Sequence, residues 1–209
     1  DSDRSLLSSY GHDDRVCAYA ELEALFSLDM PEKTAVCILA DKEEIGSVGI
    51  SGMQSHYFEH FMEGLCDAQG VKLSDCFANS FCLSADVSNA FDPNWPETCD
   101  KRNNSQLNYG VAICKYTGSR GKGGASDASA EAMGHVRSTL DKAGVIWQIA
   151  TLGKVDQGGG GTVAAYMANR NIVTVDAGVP VLSMHAPLEL VSKLDCYETM
   201  LACKAIYLA

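Results

Sequence analysis

Residues 34–47 constrain the fold more than any other stretch. The apolar run Ala35, Val36, Cys37, Ile38, Leu39, Ala40 follows a turn at Pro31 and passes straight into Asp41, Lys42, Glu43, Glu44, Ile45 and Gly46. A short β-rich run between Pro and Gly predicts a buried strand. Adjacent carboxylates at the end of a buried strand are costly to ionise without a compensating charge. Either the strand has ended and the acids are solvated, or a cation sits there, with one Glu bound and the other facing a reacting water. The pattern recurs. Residues 80–85 read as an apolar strand delivering Asp86, and residues 180–184 as one delivering His185. In open α/β sheets, sites gather at such strand ends.

The segments between these runs alternate. Residues 1–11 are polar and Ser-rich and are expected to form a loop. Asp13 and Asp14 precede a periodic segment (Val16, Tyr19, Ala20, Glu23, Phe26, widened by Leu22 and Leu25) that predicts a helix to about Leu28. Capping that helix takes one of the two Asp residues and leaves the other free. Further helices are expected over 54–68 before Gly70, from Ser126 or Asp127 to Lys142 before Gly144, from Thr162, and from Pro187 to about Tyr207. Strands are expected at 109–115, 145–150 and 172–175. Strands and helices alternate without repeats, which predicts an α/β three-layer sandwich with a mostly parallel or mixed sheet and helices on both faces.

Several motifs carry other readings. His56 and His60 lie one helical turn apart, but a zincin needs Glu directly after the first His, and Tyr57 stands there. The basic, Gly-rich stretch after Lys115, with Arg120 and Lys122, is either a flexible turn or a loop that faces a substrate's acid group. Asp156 and four glycines from Gly158 to Gly161 lack the Lys-Ser/Thr of a phosphate loop, so the run suits close approach of backbone to a ligand instead. The Pro- and Trp-containing segment 91–104 is expected to be a loop with a binding role.

The totals exclude some classes. A net charge of −11 argues against a nucleic-acid surface, and no apolar run is long enough to span a bilayer. Nine cysteines without a Cys-x-x-Cys pair suit buried free thiols in a reducing compartment, hence a cytoplasmic location. The first residue is Asp1, so the numbering is expected to start inside a longer chain. The acids and imidazole at element ends, with no thiolate among them, suit zinc, manganese or cobalt in a hydrolytic site.

The ordered set Gly11-His12-Asp13-Asp14-Arg15, residues 41–47, Ser84-Ala85-Asp86-Val87, residues 115–127, residues 153–162 and Val181-Leu182-Ser183-Met184-His185 resembles the aminopeptidase I / aspartyl aminopeptidase family of dizinc exopeptidases. The resemblance covers nearly the whole chain. It implies that Asp13 bridges two divalent metal ions, that Glu44 and His185 complete one site, that Asp86 binds the second ion, and that Glu43 is the general base. It implies zinc, with cobalt or manganese as alternatives, and hydrolysis of the N-terminal residue from peptides by a metal-activated water. Lys115, Asp156, Gly159 and Gly160 correspond to substrate-side positions. Asn89 stands where many relatives have a His. The family's early His-x-Asp motif and inserted dimerisation domain have no counterpart here. Residues 1–209 are therefore expected to be the C-terminal portion of the catalytic domain, and His12, adjacent to Asp13, does not replace the absent His. The resemblance also implies a homo-oligomer of up to twelve subunits. Two rival readings are an inactive assembly fragment and an amidohydrolase of related fold acting on N-acylated amino acids.

Overall fold

The computed structural model describes all of residues 1–209. In chain order its elements are β1 (Leu6–Ser9), α1 (His12–Phe26), α2 (Tyr57–Gln69), α3 (Leu73–Ala78), β2 (Phe81–Ala85), β3 (Ser88–Asn89), β4 (Val111–Cys114), β5 (Tyr116–Ser119), β6 (Gly123–Asp127), α4 (Ala130–Ala143), β7 (Trp147–Ile149), α5 (Ala164–Ala168), β8 (Val173–Gly178), β9 (Pro180–Leu182), β10 (Glu189–Ser192) and α6 (Lys193–Tyr207). Short 3₁₀ turns occupy Glu43–Ile45 and Pro96–Thr98.

One sheet has the order β2-β8-β4-β7, another β1-β10-β9-β3, and β5 and β6 form a separate hairpin. The first sheet is mixed: β2 with β8 and β4 with β7 run parallel, while β4 and β8 run antiparallel. The two sheets are joined, because β2 and β3 run alongside β8 and β9. The bonds Asp86 N to Ala177 O (3.2 Å) and Ser88 N to Val179 O (2.9 Å) carry the ladder across the junction. Gly178 permits that join, since a Cβ there would lie 1.8 Å from the Asp86 carbonyl oxygen.

Side-chain alternation along β2 sets the layers. Phe81 and Leu83 pack against a core of Val136 and Leu140 from α4, Ala202 from α6, and Val111, Ile113 and Val175 from the sheet. Cys82 points the other way, onto Phe58 and Met62 of α2, Phe77 of α3 and Met167 of α5. Helices therefore cover both faces, as the alternating pattern predicts. A third cluster packs Val16 and Cys17 of α1 against Val87, Val179, Val181 and Val191, where the two sheets meet.

The run 35–40 departs from expectation. It pairs with no strand, and the nearest backbone bond is Asp41 N to Ser51 O at 3.1 Å. The physical reason is a hollow of about 450 Å³, lined on one side by Val36 and Ile38 and on another by Phe81 and Leu83 of β2. β2 is the outermost strand of its sheet, and no ladder reaches across that space. The run is held instead by its side chains, which pack on the α2–α3–α5 cluster, and by the Tyr207 hydroxyl donating to Val36 O at 3.5 Å.

Other corrections follow from better caps and partners. Residues 6–9 form β1, because β10 offers them an antiparallel edge. The last helix begins after Ser192, whose hydroxyl accepts the Leu194 N–H at 3.2 Å, so the segment after Pro187 is a turn and then β10. Ser129, not Ser126 or Asp127, caps α4 by accepting the Ala132 N–H, and those two residues belong to β6. The Gly-rich stretch after Lys115 is the β5–β6 hairpin rather than a loop. In α1 the buried stripe is Val16, Cys17, Ala20 and Ala24, while Tyr19 and Phe26 are exposed. Small side chains let α1 lie close against α6, whose buried face carries Thr199, Ala202 and Cys203.

Candidate metal centre

Asp13 and Asp14 do not cap α1. Gly11 occupies the N-cap position with φ +74°, no side chain caps the helix, and both Asp residues have non-helical backbone angles. The capping expectation fails because the chain enters the helix through an irregular turn, which frees both carboxylates. Packing of Val16 and Cys17 beside Val87 pins this turn over the junction where Asp86 leaves β2.

Glu43 and Glu44 sit in the 3₁₀ turn after the extended run. The turn is closed by Gly46 N to Glu43 O (2.8 Å) and Ser47 N to Lys42 O (2.7 Å), with Gly46 at φ +95°. His185 lies in the turn between β9 and β10 with φ +65°. Three distant segments thus deliver their side chains to one place. His185 Nε2 is 2.7 Å from Asp13 Oδ2 and 3.0 Å from Glu44 Oε1. The Asp13 side chain is only 8% exposed, against 60% for His185 and 55% for Glu44, so Asp13 forms the floor and the other two the rim.

Two groups of ligand-type atoms result, each with its atoms within 4.8 Å of one another: Asp13, Glu44 and His185, and Asp13, Asp14 and Asp86. Asp13 is common to both. Four of the predicted residues, Asp13, Glu44, Asp86 and His185, are therefore brought together, and Asp14 joins them. Neither group includes His56 or His60; His56 instead contacts Glu59 at 2.5 Å.

The electrostatics mark a place short of positive charge. Burial, then the Glu44 carboxylate, pushes Asp13 up to about 6. Burial, then Glu44 and Asp13, pushes Glu43 up to about 6. Burial holds Asp14 and Asp86 well above the carboxylate range, and the charges of Asp14 and then Asp13 add to the effect for Asp86. Burial pulls His185 down, but the carboxylates of Glu44 and Asp13 outweigh it, and its net shift is upward. Asp14 Oδ1 is buried with no hydrogen-bond partner. Converging carboxylates, an imidazole nitrogen and an orphaned carboxylate oxygen fit a divalent cation of the zinc type.

The remaining predicted residues lie on the hairpin side. Lys115 makes an ion pair with Asp127. Asp156 is exposed with φ +61°. Gly159 has φ +89°, and a Cβ there would strike Gly118 O at 2.4 Å, while Gly160 O accepts the Gly118 N–H at 2.8 Å. The glycine run is thus already committed to close approach against the β5–β6 hairpin.

Three acids of this region were not singled out by the sequence. Glu189 sits buried beneath Asp13 and His185. Asp14 enters the sequence reading only as half of a pair of which one caps and the other is free. Asp176, pushed up to about 6 by burial in the middle of β8, accepts the Thr162 hydroxyl at 2.7 Å and neighbours Asp86 and Glu43. Its signal in the sequence is its place directly after the run 172–175, the pattern that marks Asp86, and β8 runs past it to Gly178.

An α/β sandwich with acids and an imidazole gathered at its strand ends defines a candidate metal-binding class of site. The chain belongs to the aminopeptidase I zinc metalloprotease (M18) family, whose family model matches residues 2–207. A probable M18 family aminopeptidase 1 from Clostridium acetobutylicum is 50% identical over 201 residues, covering 94% of this chain and 43% of the relative. The crystal structure of an M18 aminopeptidase from Thermotoga maritima superposes with a TM-score of 0.95 at 44% identity, over 99% of this chain and 47% of that one. The yeast mApe1 dodecamer, 23% identical with a TM-score of 0.76 over 99% of this chain and 48% of that one, shares the fold. The chain spans a little under half the length of the relatives it matches.

Proposed function

We propose that this chain provides the larger part of the metal centre of a zinc aminopeptidase that removes single N-terminal residues from peptides. The observation that carries the reading is the membership of Asp13 in both ligand groups. In this reading Asp13, Glu44 and His185 would hold one divalent ion, and Asp13 with Asp86 would hold a second. Membership in a zinc metalloprotease family supports zinc as the metal. Bound ions would act as Lewis acids, lowering the pKa of water and polarising the scissile carbonyl.

Glu43 is the general base. Its place beside Glu44 and Asp13, half-buried at the edge of the cluster, suits a carboxylate that takes a proton and gives it back. It removes a proton from the attacking water as the new C–O bond forms. It returns that proton to the amine nitrogen as the C–N bond breaks. Lys115, Asp156, Gly159 and Gly160, on and against the β5–β6 hairpin, would form the substrate-facing wall. Homo-oligomeric assembly and a cytoplasmic location complete the proposal. The dodecameric assembly of yeast mApe1 supports the first, and nine free thiols suit the second.

The test is zinc content and turnover together. Glu43→Gln should keep wild-type zinc and lose at least about 10²-fold in hydrolysis of an aminoacyl amide. An unchanged rate with zinc bound would remove the assignment. An N-acylated amino acid hydrolysed faster than the free-amine substrate would favour the amidohydrolase instead, which the family match does not support.

A further inference from the structure

Glu189 opens β10 and is 1% exposed, among the most buried side chains in the molecule. Its two carboxylate oxygens have separate tasks. Oε2 accepts the backbone N–H of Asp13 at 3.1 Å, and Oε1 accepts the backbone N–H of His185 at 2.7 Å. Both donors belong to residues whose side chains meet 2.7 Å apart in the cluster above. One carboxylate therefore spans the entry of α1 and the β9–β10 turn.

Both segments need an external hold. The turn carries Ser183 at φ +59° and His185 at φ +65°, a region disfavoured for residues with a Cβ. Asp13 has non-helical angles inside the first turn of α1 and is not fixed by the helix ladder. A carboxylate suits the space between two N–H donors because it only accepts. Glutamine would turn an NH₂ donor towards one of them.

We propose that Glu189 is a positioning residue of the metal centre: its carboxylate bridges the Asp13 and His185 backbones and holds their side chains at the separation at which they share a cation. This rests on the metal-centre reading above. Glu189 touches neither substrate nor the reacting atoms. It acts through the two residues it anchors.

The test compares wild type with Glu189→Gln and Glu189→Asp in three measurements. These are zinc affinity by competition with a chromophoric chelator, amide hydrogen exchange of the metal-free protein, and its melting temperature. Glu189→Gln should weaken zinc binding about 10- to 100-fold, the range for a lost outer-shell partner. Exchange at Asp13 and His185 should accelerate at least about tenfold, while amides of the β9–β10 pair keep their protection. Glu189→Asp keeps a buried carboxylate but is too short to reach both donors, so it should weaken zinc with a smaller change in melting temperature. Zinc affinity within about twofold of wild type, in a variant whose two amides have lost protection, would overturn the positioning role. So would zinc loss that only follows a uniform rise in exchange across the fold in both variants. A wild-type chain that takes up no zinc would instead overturn the metal-centre reading itself, and the positioning role with it.

Discussion

Glu21 carries the cost of its burial with no cation to offset it. It lines the hollow beside Cys37, and burial pushes its carboxyl up to about 8. An acid whose folded pKa is raised binds more protons in the folded state than in the unfolded one. Its contribution to stability is present at low pH and is lost as pH rises from the unfolded value through the folded one. Asp13 and Glu43, both at about 6, act in the same direction over a lower window. The metal-free protein should therefore melt lower at pH 8 than at pH 5. Glu21→Gln should raise the melting temperature at pH 8 and flatten the dependence, read by calorimetry in the presence of chelator. The same acids bear on what was legible at this scale. Asp86 and His185 could be found because each ends an apolar run, and Glu43 and Glu44 because two acids follow one. Glu189 could not, because its role is to accept backbone N–H groups from residues remote in sequence, and no side-chain pattern records that.

Helices and strands were legible where burial is one-sided and ends are marked. Gly70 and Gly144 both take the left-handed conformation that closes α2 and α4, as their positions imply. The misreadings arose where two caps compete or a partner strand decides. Pro187 is a good helix starter in isolation, yet residues 189–192 pair with both β1 and β9, and the ladder overrides local preference. Acids in α6 were invisible as structural elements. Asp195 is fully buried and accepts the N–H groups of Asn108 and Gly110, both at 2.7 Å, and Glu198 accepts that of Ile146 at 2.8 Å. Two substitutions test the junctions. Gly178→Ala forces β8 away from Asp86 and should cost about 3 kcal/mol or more in a denaturant titration, at or above the top of the usual range for overpacked sites because the clash is with backbone. Ser129→Ala removes one cap from α4 and should cost about 1 kcal/mol without altering zinc binding.

At the scale of the whole molecule, three layers follow from alternating patterns, but the state of residues 35–40 does not. A strand exists only with a neighbour to pair with, and here β2 and that run face each other across an apolar hollow. Exposed apolar walls of this size should bind an anilinonaphthalene sulfonate dye at neutral pH, and Ile38→Lys should reduce that fluorescence by at least about half. A dye signal equal to that of a fully packed control protein would show the hollow to be closed in solution. The anchoring of Asp13 by Glu189 joins positions 176 residues apart, and β1, first of the strands, rests on β10, the last. Residues 13 and 189 must therefore both be made and brought together before the Asp13–His185 pair can be held. The group of Asp13, Glu44 and His185 cannot form before β10 is in place, and zinc held there would stabilise a late stage of folding rather than guide the early ones.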